Sequence, residues 1–391
     1  MRLFEREMGQ AELARHCGMS SQFFGVRATV LADGLERGIR CLEFRTGTGF
    51  RFSVLVDRAM DVSDTEYRGA SIGWHSPSGF RHPGLHENGD EGGLGWLRSF
   101  SGLMVTAGLD HTLFMASESG DHYNYPARKS ICFPLHGRVA NIPAKLEGYG
   151  ERWDGNECTL WCEGTVIQAT VFGENLHLIR RIEAKAGTSA FSISDRVVNR
   201  GFSRTPHMLL YHINLGYPLL DEGSQYVAPI RRTVWASHAD RLKTQNVGYL
   251  TQPGPVKDFR EQVFEHEMAA DENGMVAAGL VNRSFRGGQG IGLVIEVNKR
   301  EFPCHFQWQN YQEGMYAFGV EPSTNHALGR DFAKGRDELR WLEHGEECQY
   351  TTTFRVLEDN GQIDQFVKRV TSIQPPPKGE FPVVEPTMER L

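Results

Sequence analysis

Nine short runs rich in β-branched and aromatic residues follow one another along this chain, at 39–44, 52–56, 103–107, 176–182, 191–198, 208–213, 275–281, 291–297 and 350–356. Each is too short for a typical helix and matches the length and side-chain preference of a strand. Between them lie turn-forming clusters such as Thr-Gly-Thr-Gly at 46–49 and Arg-Gly-Gly-Gln-Gly at 286–290. Glycine supplies the positive φ that tight turns need. Strands joined this way, without a helix after each, build antiparallel sheets and not βαβ units. A helix is predicted at 10–17, where Gln-Ala-Glu-Leu-Ala-Arg-His-Cys precedes Gly18. The expected fold class is therefore all-β, large antiparallel sheets stacked face to face, with a short N-terminal helix.

Composition limits what such sheets can do. Of 391 residues, 40% are hydrophobic, enough for a sizeable core, and the 42 basic and 49 acidic residues leave a net charge of −7. A mild, scattered negative charge does not provide a surface for nucleic acid or an anionic membrane. No run of about 18 apolar residues suggests a membrane span. The opening Met-Arg-Leu-Phe-Glu-Arg carries charges where a secretory signal needs an apolar stretch. Seven cysteines are dispersed, and Cys158 and Cys162 lack a matching second pair for zinc. A reduced, cytoplasmic protein is expected.

One domain is expected over 1–373, since no linker-like shift in composition divides it, followed by a tail over 374–391 rich in proline. Segment 77–95, crowded with Gly, His and Asn, reads as a long loop over one face of the sheets. Loops of that length in compact domains are often functional.

Candidate chemistry lies at the ends of the apolar runs. His212 and Asn214 are two residues apart in an apolar strand that ends at Gly216-Tyr217-Pro218. Side chains at i and i+2 share a face, so the two can line one polar pocket; a histidine bonded to a sheet carbonyl is the plainer alternative. Glu321 closes another apolar strand, where Pro322 removes a backbone donor. A carboxylate there is either paired or turned to water. His111 and His136 follow similar apolar runs.

Five groups of segments, in this order, resemble the galactose mutarotase-like superfamily. They are Leu-Val-Asp-Arg-Ala-Met-Asp at 55–61, Gly-Leu-Met-Val-Thr-Ala-Gly-Leu-Asp-His at 102–111 and Pro-Leu-His-Gly-Arg at 134–138. The remaining two are Tyr-His-Ile-Asn-Leu-Gly-Tyr-Pro at 211–218, and Gln-Trp-Gln-Asn at 307–310 with Gly-Val-Glu-Pro at 319–322. Within that superfamily the chain is similar to aldose 1-epimerase family proteins of the DUF4432 branch, over roughly residues 10–358. The resemblance implies a β-supersandwich with a sugar cleft on its concave side. It also implies a catalytic pair, His212 and Glu321, although the family histidine precedes its asparagine by four positions and here Asn214 follows by two. The family histidine before glycine matches His136. Arg58, His111, His136, Asn214, Trp308 and Gln309 are the implied substrate contacts, with Trp308 under the apolar face of a pyranose. No residue matches the usual sugar-binding aspartate; Asp110 and Asp221 are the candidates.

What the resemblance implies is an isomerase that interconverts sugar anomers. A base takes the C1 hydroxyl proton while an acid protonates the ring oxygen, and the roles reverse on closure. Glu321 is assigned as base and His212 as acid, with no cofactor and a free monosaccharide as the only partner. Two alternatives stand beside it. One is an epimerase, isomerase or lyase acting at another carbon, with His111, His136, His212 and Glu321 as a metal set. The other is a non-enzymatic sugar-binding or regulatory protein. The sugar and the oligomeric state are not legible.

Overall fold

A computed structural model describes residues 1–238 and 247–384. The predicted strands all form, in two sheets. The larger has twelve strands, and its main path runs Ile230–Ala236, Gln262–Met268, Cys304–Asn310, Ala317–Ser323, Thr205–Leu215, Met104–Leu109, Asp61–Tyr67, Phe50–Leu55, Arg40–Arg45 and Gly25–Val30. Ala70–Ser71 and Arg340–Leu342 pair beside it. The smaller sheet orders Lys145–Asp154, Glu157–Ala169, Asn175–Lys185, Ala190–Asn199, Glu347–Leu357, Ile291–Asn298, Met275–Asn282 and Gln225–Val227. All of these pairings are antiparallel.

The sheets stack because period-two alternation gives each an apolar face. In Glu157–Ala169 every second residue is buried: Cys158, Leu160, Cys162, Val166 and their neighbours in step. Leu209, Tyr211 and Ile213 answer from the larger sheet, and one hydrophobic cluster joins both. Each such buried aliphatic or aromatic side chain contributes roughly 1.5–3 kcal/mol over leaving it in water. Strand Thr205–Leu215 departs from alternation, because all eleven of its residues are buried. Both of its faces are therefore covered. The inner face meets the smaller sheet, and the outer face, which carries His212, lies beneath the segment around 74–100.

Between the sheets Arg180 is wholly buried and fully engaged. Its guanidinium donates to both Asp195 oxygens, to Asp61 Oδ1 at 3.0 Å and to Thr106 Oγ1 at 2.9 Å. Tyr211 donates to Asp195 from the facing strand. The Asp57–Asp61 stretch that carries part of the resemblance is thus largely structural. Asp57 receives Arg40, and Asp61 receives the backbone and hydroxyl of Thr106 as well as Arg180.

The N-terminal helix forms at Gln10–His16. A longer helix, Asn360–Ile373, was not foreseen, nor was Gly329–Gly335. In the former, Asp359 caps the N-terminus by accepting the Gln362 N–H. Ile363, Phe366 and Val370 then pack on Ala277, Val281, Val294 and Leu357 of the smaller sheet. The described part of the proline-rich tail folds back, and Val384 bridges to Thr233; Pro386 lies outside the described residues. All seven cysteines are free. No helix among the described residues is long and apolar enough to cross a membrane.

Candidate active site

Residue parity on three adjacent strands builds the site. His212 and Asn214 face outward from Thr205–Leu215, while Tyr211 and Ile213 face the core. The ladder pairs Leu210 with Ser323 and Ile213 with Val320, which sets Glu321 beside His212 on the outer face. One strand further, Trp308 opposes Gly319. A Cβ at Gly319 would stand 2.8 Å from both Glu321 Oε1 and Trp308 Cβ. That glycine therefore makes the room in which the carboxyl and the indole meet.

His212 Nε2 lies 3.2 Å from Glu321 Oε1, with the two side chains 6% and 3% exposed. On its other side, His212 Nδ1 is 2.6 Å from Asn214 Oδ1. The orientation of that amide follows from its own bonds. Asn214 Nδ2 donates to the carbonyls of Gly102 and His212, so Oδ1 is the acceptor and Nδ1 of His212 carries hydrogen. In the neutral ring, Nε2 then carries the lone pair, 3.2 Å from Glu321 Oε1.

Burial dominates the electrostatics. It pushes the imidazole of His212 down to about 3, against the opposing bond to Asn214. It pushes the Glu321 carboxyl up to about 8, helped by the nearby charge of Glu261. Both groups are driven to their neutral forms, and the pair holds one proton. No donor among the described residues is directed at Glu321 Oε1. A buried polar atom without a partner is costly and marks a place where a ligand group can bind.

Aromatic rings close over this pair. Phe100 and Trp96 stack at 4.1 Å and lie 4.6 and 5.6 Å from the His212 ring. Trp308 stands 5.3 Å from the same ring, and Trp74 packs edge-on to Trp308. Trp308 Nε1 donates to Glu261. His136 approaches from a turn, 4.5 Å from Trp96 and 5.6 Å from His212, with its Nδ1 buried and without a partner among the described residues. Burial and the neighbouring imidazoles hold His136 well below the usual histidine range. Its φ is positive, as is that of Gly137, where a Cβ would meet Gly108 O at 2.2 Å.

The structure thus brings together His212, Glu321, Asn214, His136 and Trp308. Others singled out in the sequence stand apart from the pair. His111 sits behind His136, with Nε2 bonded to Phe114 O and its ring on Phe133. Arg58 donates to the carbonyls of Ala140, Arg81 and Ser99, so it fastens the covering segment to the sheet. Gln309, next to Trp308 and hence on the opposite face, donates to Gly248 O. Asp110 is engaged by Gln168 and Arg138. Among the described residues, three metal-ligating groups converge at Glu265, Cys304 and His326, and not among the four residues of the metal set considered above. Sequence reasoning missed Trp74, Trp96, Phe100 and Glu261. The Gly-Trp-Leu-Arg-Ser-Phe stretch at 95–100 was the available signal, two aromatic side chains at the end of a polar loop.

The family model described as "Domain of unknown function (DUF4432)" matches residues 36–356. No curated protein matches the chain. Among solved structures, a proposed aldose 1-epimerase from Klebsiella pneumoniae is similar at 26% identity and a TM-score of 0.80, covering 92% of this chain and 90% of its own. A galactose mutarotase-like protein from Clostridium acetobutylicum has 12% identity and a TM-score of 0.57, over 86% of this chain and 99% of its own. The fold is galactose mutarotase-like.

Proposed function

The chain belongs to the DUF4432 family, and from that premise we propose that it interconverts the anomers of a free monosaccharide by acid–base ring opening, as an aldose 1-epimerase-type isomerase. The observation that carries this reading is the buried His212–Glu321 contact at 3.2 Å, set among aromatic rings on the outer face of the large sheet. Anomer exchange needs one base and one acid at neutral pH and no redox or covalent chemistry. A pair that holds a single proton supplies both.

Glu321 takes the C1 hydroxyl proton and His212 protonates the ring oxygen, which opens the ring; C1 turns, and the same two groups reverse their roles on closure. Opening in this sense starts from the ionised pair and ends with the proton on Glu321. That end state is the one that burial favours in the closed site. Sugar hydroxyls entering between the two groups favour the ionised pair, because hydrogen bonds to a charged form stabilise it. Asn214 holds the imidazole in the tautomer that presents Nε2. Trp308 and Trp96 offer apolar faces to the sugar ring, and His136 offers its unpartnered nitrogen to a hydroxyl. Arg58 acts indirectly, through the segment that it fastens. Because His212 and Glu321 are almost inaccessible, that segment must open to admit a sugar. No cofactor is required, and the reduced cysteines suit a cytoplasmic location.

Proton NMR exchange between anomeric signals, across a panel of free aldoses, tests the reading. Protein-dependent exchange that is lost in Glu321→Gln supports it. Undiminished exchange in that variant would sink the acid–base assignment, and no exchange with any aldose would sink anomerisation itself.

A further inference from the structure

Away from the candidate active site, three side chains of metal-ligating type converge. Glu265 lies on strand Gln262–Met268, Cys304 begins strand Cys304–Asn310, and His326 belongs to the turn that follows Ala317–Ser323. One ligand atom from each falls within 4.8 Å of the others. We infer that Glu265, Cys304 and His326 form a site for a single zinc-type divalent cation that anchors the 324–335 segment to the large sheet.

The donor set is of the right chemical kind. Thiolate, imidazole and carboxylate are the ligands of zinc and of metals with similar preferences. The spacing of the thiol and the imidazole fits too, while Glu265 Oε1, hydrogen-bonded to His326 Nδ1, would draw back by about 1 Å to share an ion. Cys304 Sγ lies 3.5 Å from His326 Nδ1. Two ligands on a tetrahedral ion, with bonds of roughly 2.3 Å to sulfur and 2.0 Å to nitrogen, stand about 3.5 Å apart. The charges also balance, since one dication neutralises one thiolate and one carboxylate.

Without an ion the three groups hold one another by hydrogen bonds, Glu265 accepting from both the Cys304 thiol and His326 Nδ1, and a bound cation would take the place of those two protons. Glu265 Oε2 accepts the Ala327 N–H at 3.0 Å, which orients the carboxylate from behind as groups outside a metal's own ligands do. Cys304 and Glu265 are buried, whereas the His326 side chain is 30% exposed. An ion can therefore enter past the imidazole and keep a water as its fourth ligand. The surrounding charges are mixed: Glu338 favours a cation, while Lys299 and Arg336 oppose it. Phe306 pairs with both Glu265 and Glu321, and its ring separates the cluster from the candidate acid–base pair.

Chelator-stripped protein titrated with Zn²⁺ by calorimetry, and with Co²⁺ by absorbance, tests this. One saturable equivalent is expected, with a thiolate-to-cobalt charge-transfer band and a higher Tm when the ion is bound. Cys304→Ser should abolish the band. It and His326→Gln, which alters a partly exposed residue and spares the core, should each weaken binding by more than about 100-fold, since even groups behind the ligands cost 10–100-fold. Glu321→Gln should bind as the native protein does. Absence of saturable uptake by the native protein would overturn the inference, and so would uptake unchanged in His326→Gln.

Discussion

Tyr211 and His212 are neighbours on one strand and point to opposite faces, each into a buried polar cluster. Inside, Tyr211 joins Arg180, Asp195, Asp61 and Thr106, where five nitrogen-to-oxygen contacts of Arg180 run from 2.7 to 3.3 Å. Burial opposes the charge of Arg180, but Asp195 and Asp61 more than offset this and hold its pKa above the ordinary value. Outside, His212 Nε2 stands 3.2 Å from Glu321 Oε1, an oxygen without a hydrogen-bond partner among the described residues, and burial drives both groups to neutrality. The difference lies in how far each cluster is satisfied. A saturated cluster holds its protonation fixed and ties two sheets together; an unsaturated one leaves a proton that can move and a polar atom that can take a substrate.

Breaking each cluster should therefore fail in a different way. The largest effect is expected for Glu321→Gln, which keeps shape and removes the titrating group. Anomer exchange should fall about 10²–10⁴-fold, as expected for loss of a general acid–base group. Its stability should rise relative to the native protein between pH 5 and 8. The raised Glu321 pKa makes the native state bind more protons than the unfolded chain there, so native stability declines as pH rises towards 8 and the variant escapes that decline. Asp195→Ala reverses the pattern. It leaves Arg180 buried with half its partners and should cost about 3–5 kcal/mol in urea unfolding. Equal losses of stability in the two variants would erase the distinction. A smaller effect is expected for Asn214→Leu, which removes the acceptor from His212 Nδ1 and frees the tautomer. A hydrogen bond worth about 1 kcal/mol translates into roughly a five- to tenfold fall in kcat, with the fold unchanged by circular dichroism.

The two clusters were unequally legible in the sequence. His212 and Glu321 could be read because each interrupts an apolar run near a strand end, where a charge needs a reason. The strand pattern was legible for the same cause, since period-two burial is written directly into side-chain type. Arg180 was not singled out: it lies in a strand with other basic residues, and its partners come from three distant strands. The role of Arg58 was likewise hidden, because backbone carbonyls of Arg81, Ser99 and Ala140 leave no trace in residue type. Gln309 could have been placed correctly, since adjacent strand residues cannot both face one site and Trp308 already does. The helix Asn360–Ile373 was also readable, from Asp359 as cap and the spacing of Ile363, Phe366 and Val370.

The smallest expected effect probes the unsaturated cluster most directly. If one shared proton is the working state, kcat/KM should be flat between the two values of the pair, about 3 and about 8, and fall tenfold per pH unit above 8 as that proton is lost. Glu261 adds to the upper value because its negative charge disfavours a second one on Glu321. Glu261→Gln removes that charge while its amide oxygen can still accept from Trp308 Nε1. The alkaline limb should then move to lower pH, with the plateau rate little changed. A limb that stays in place would mean that Glu321 does not set it. A limb that moves upward would mean that Glu261 acts on the site through the position of Trp308 and not through its charge.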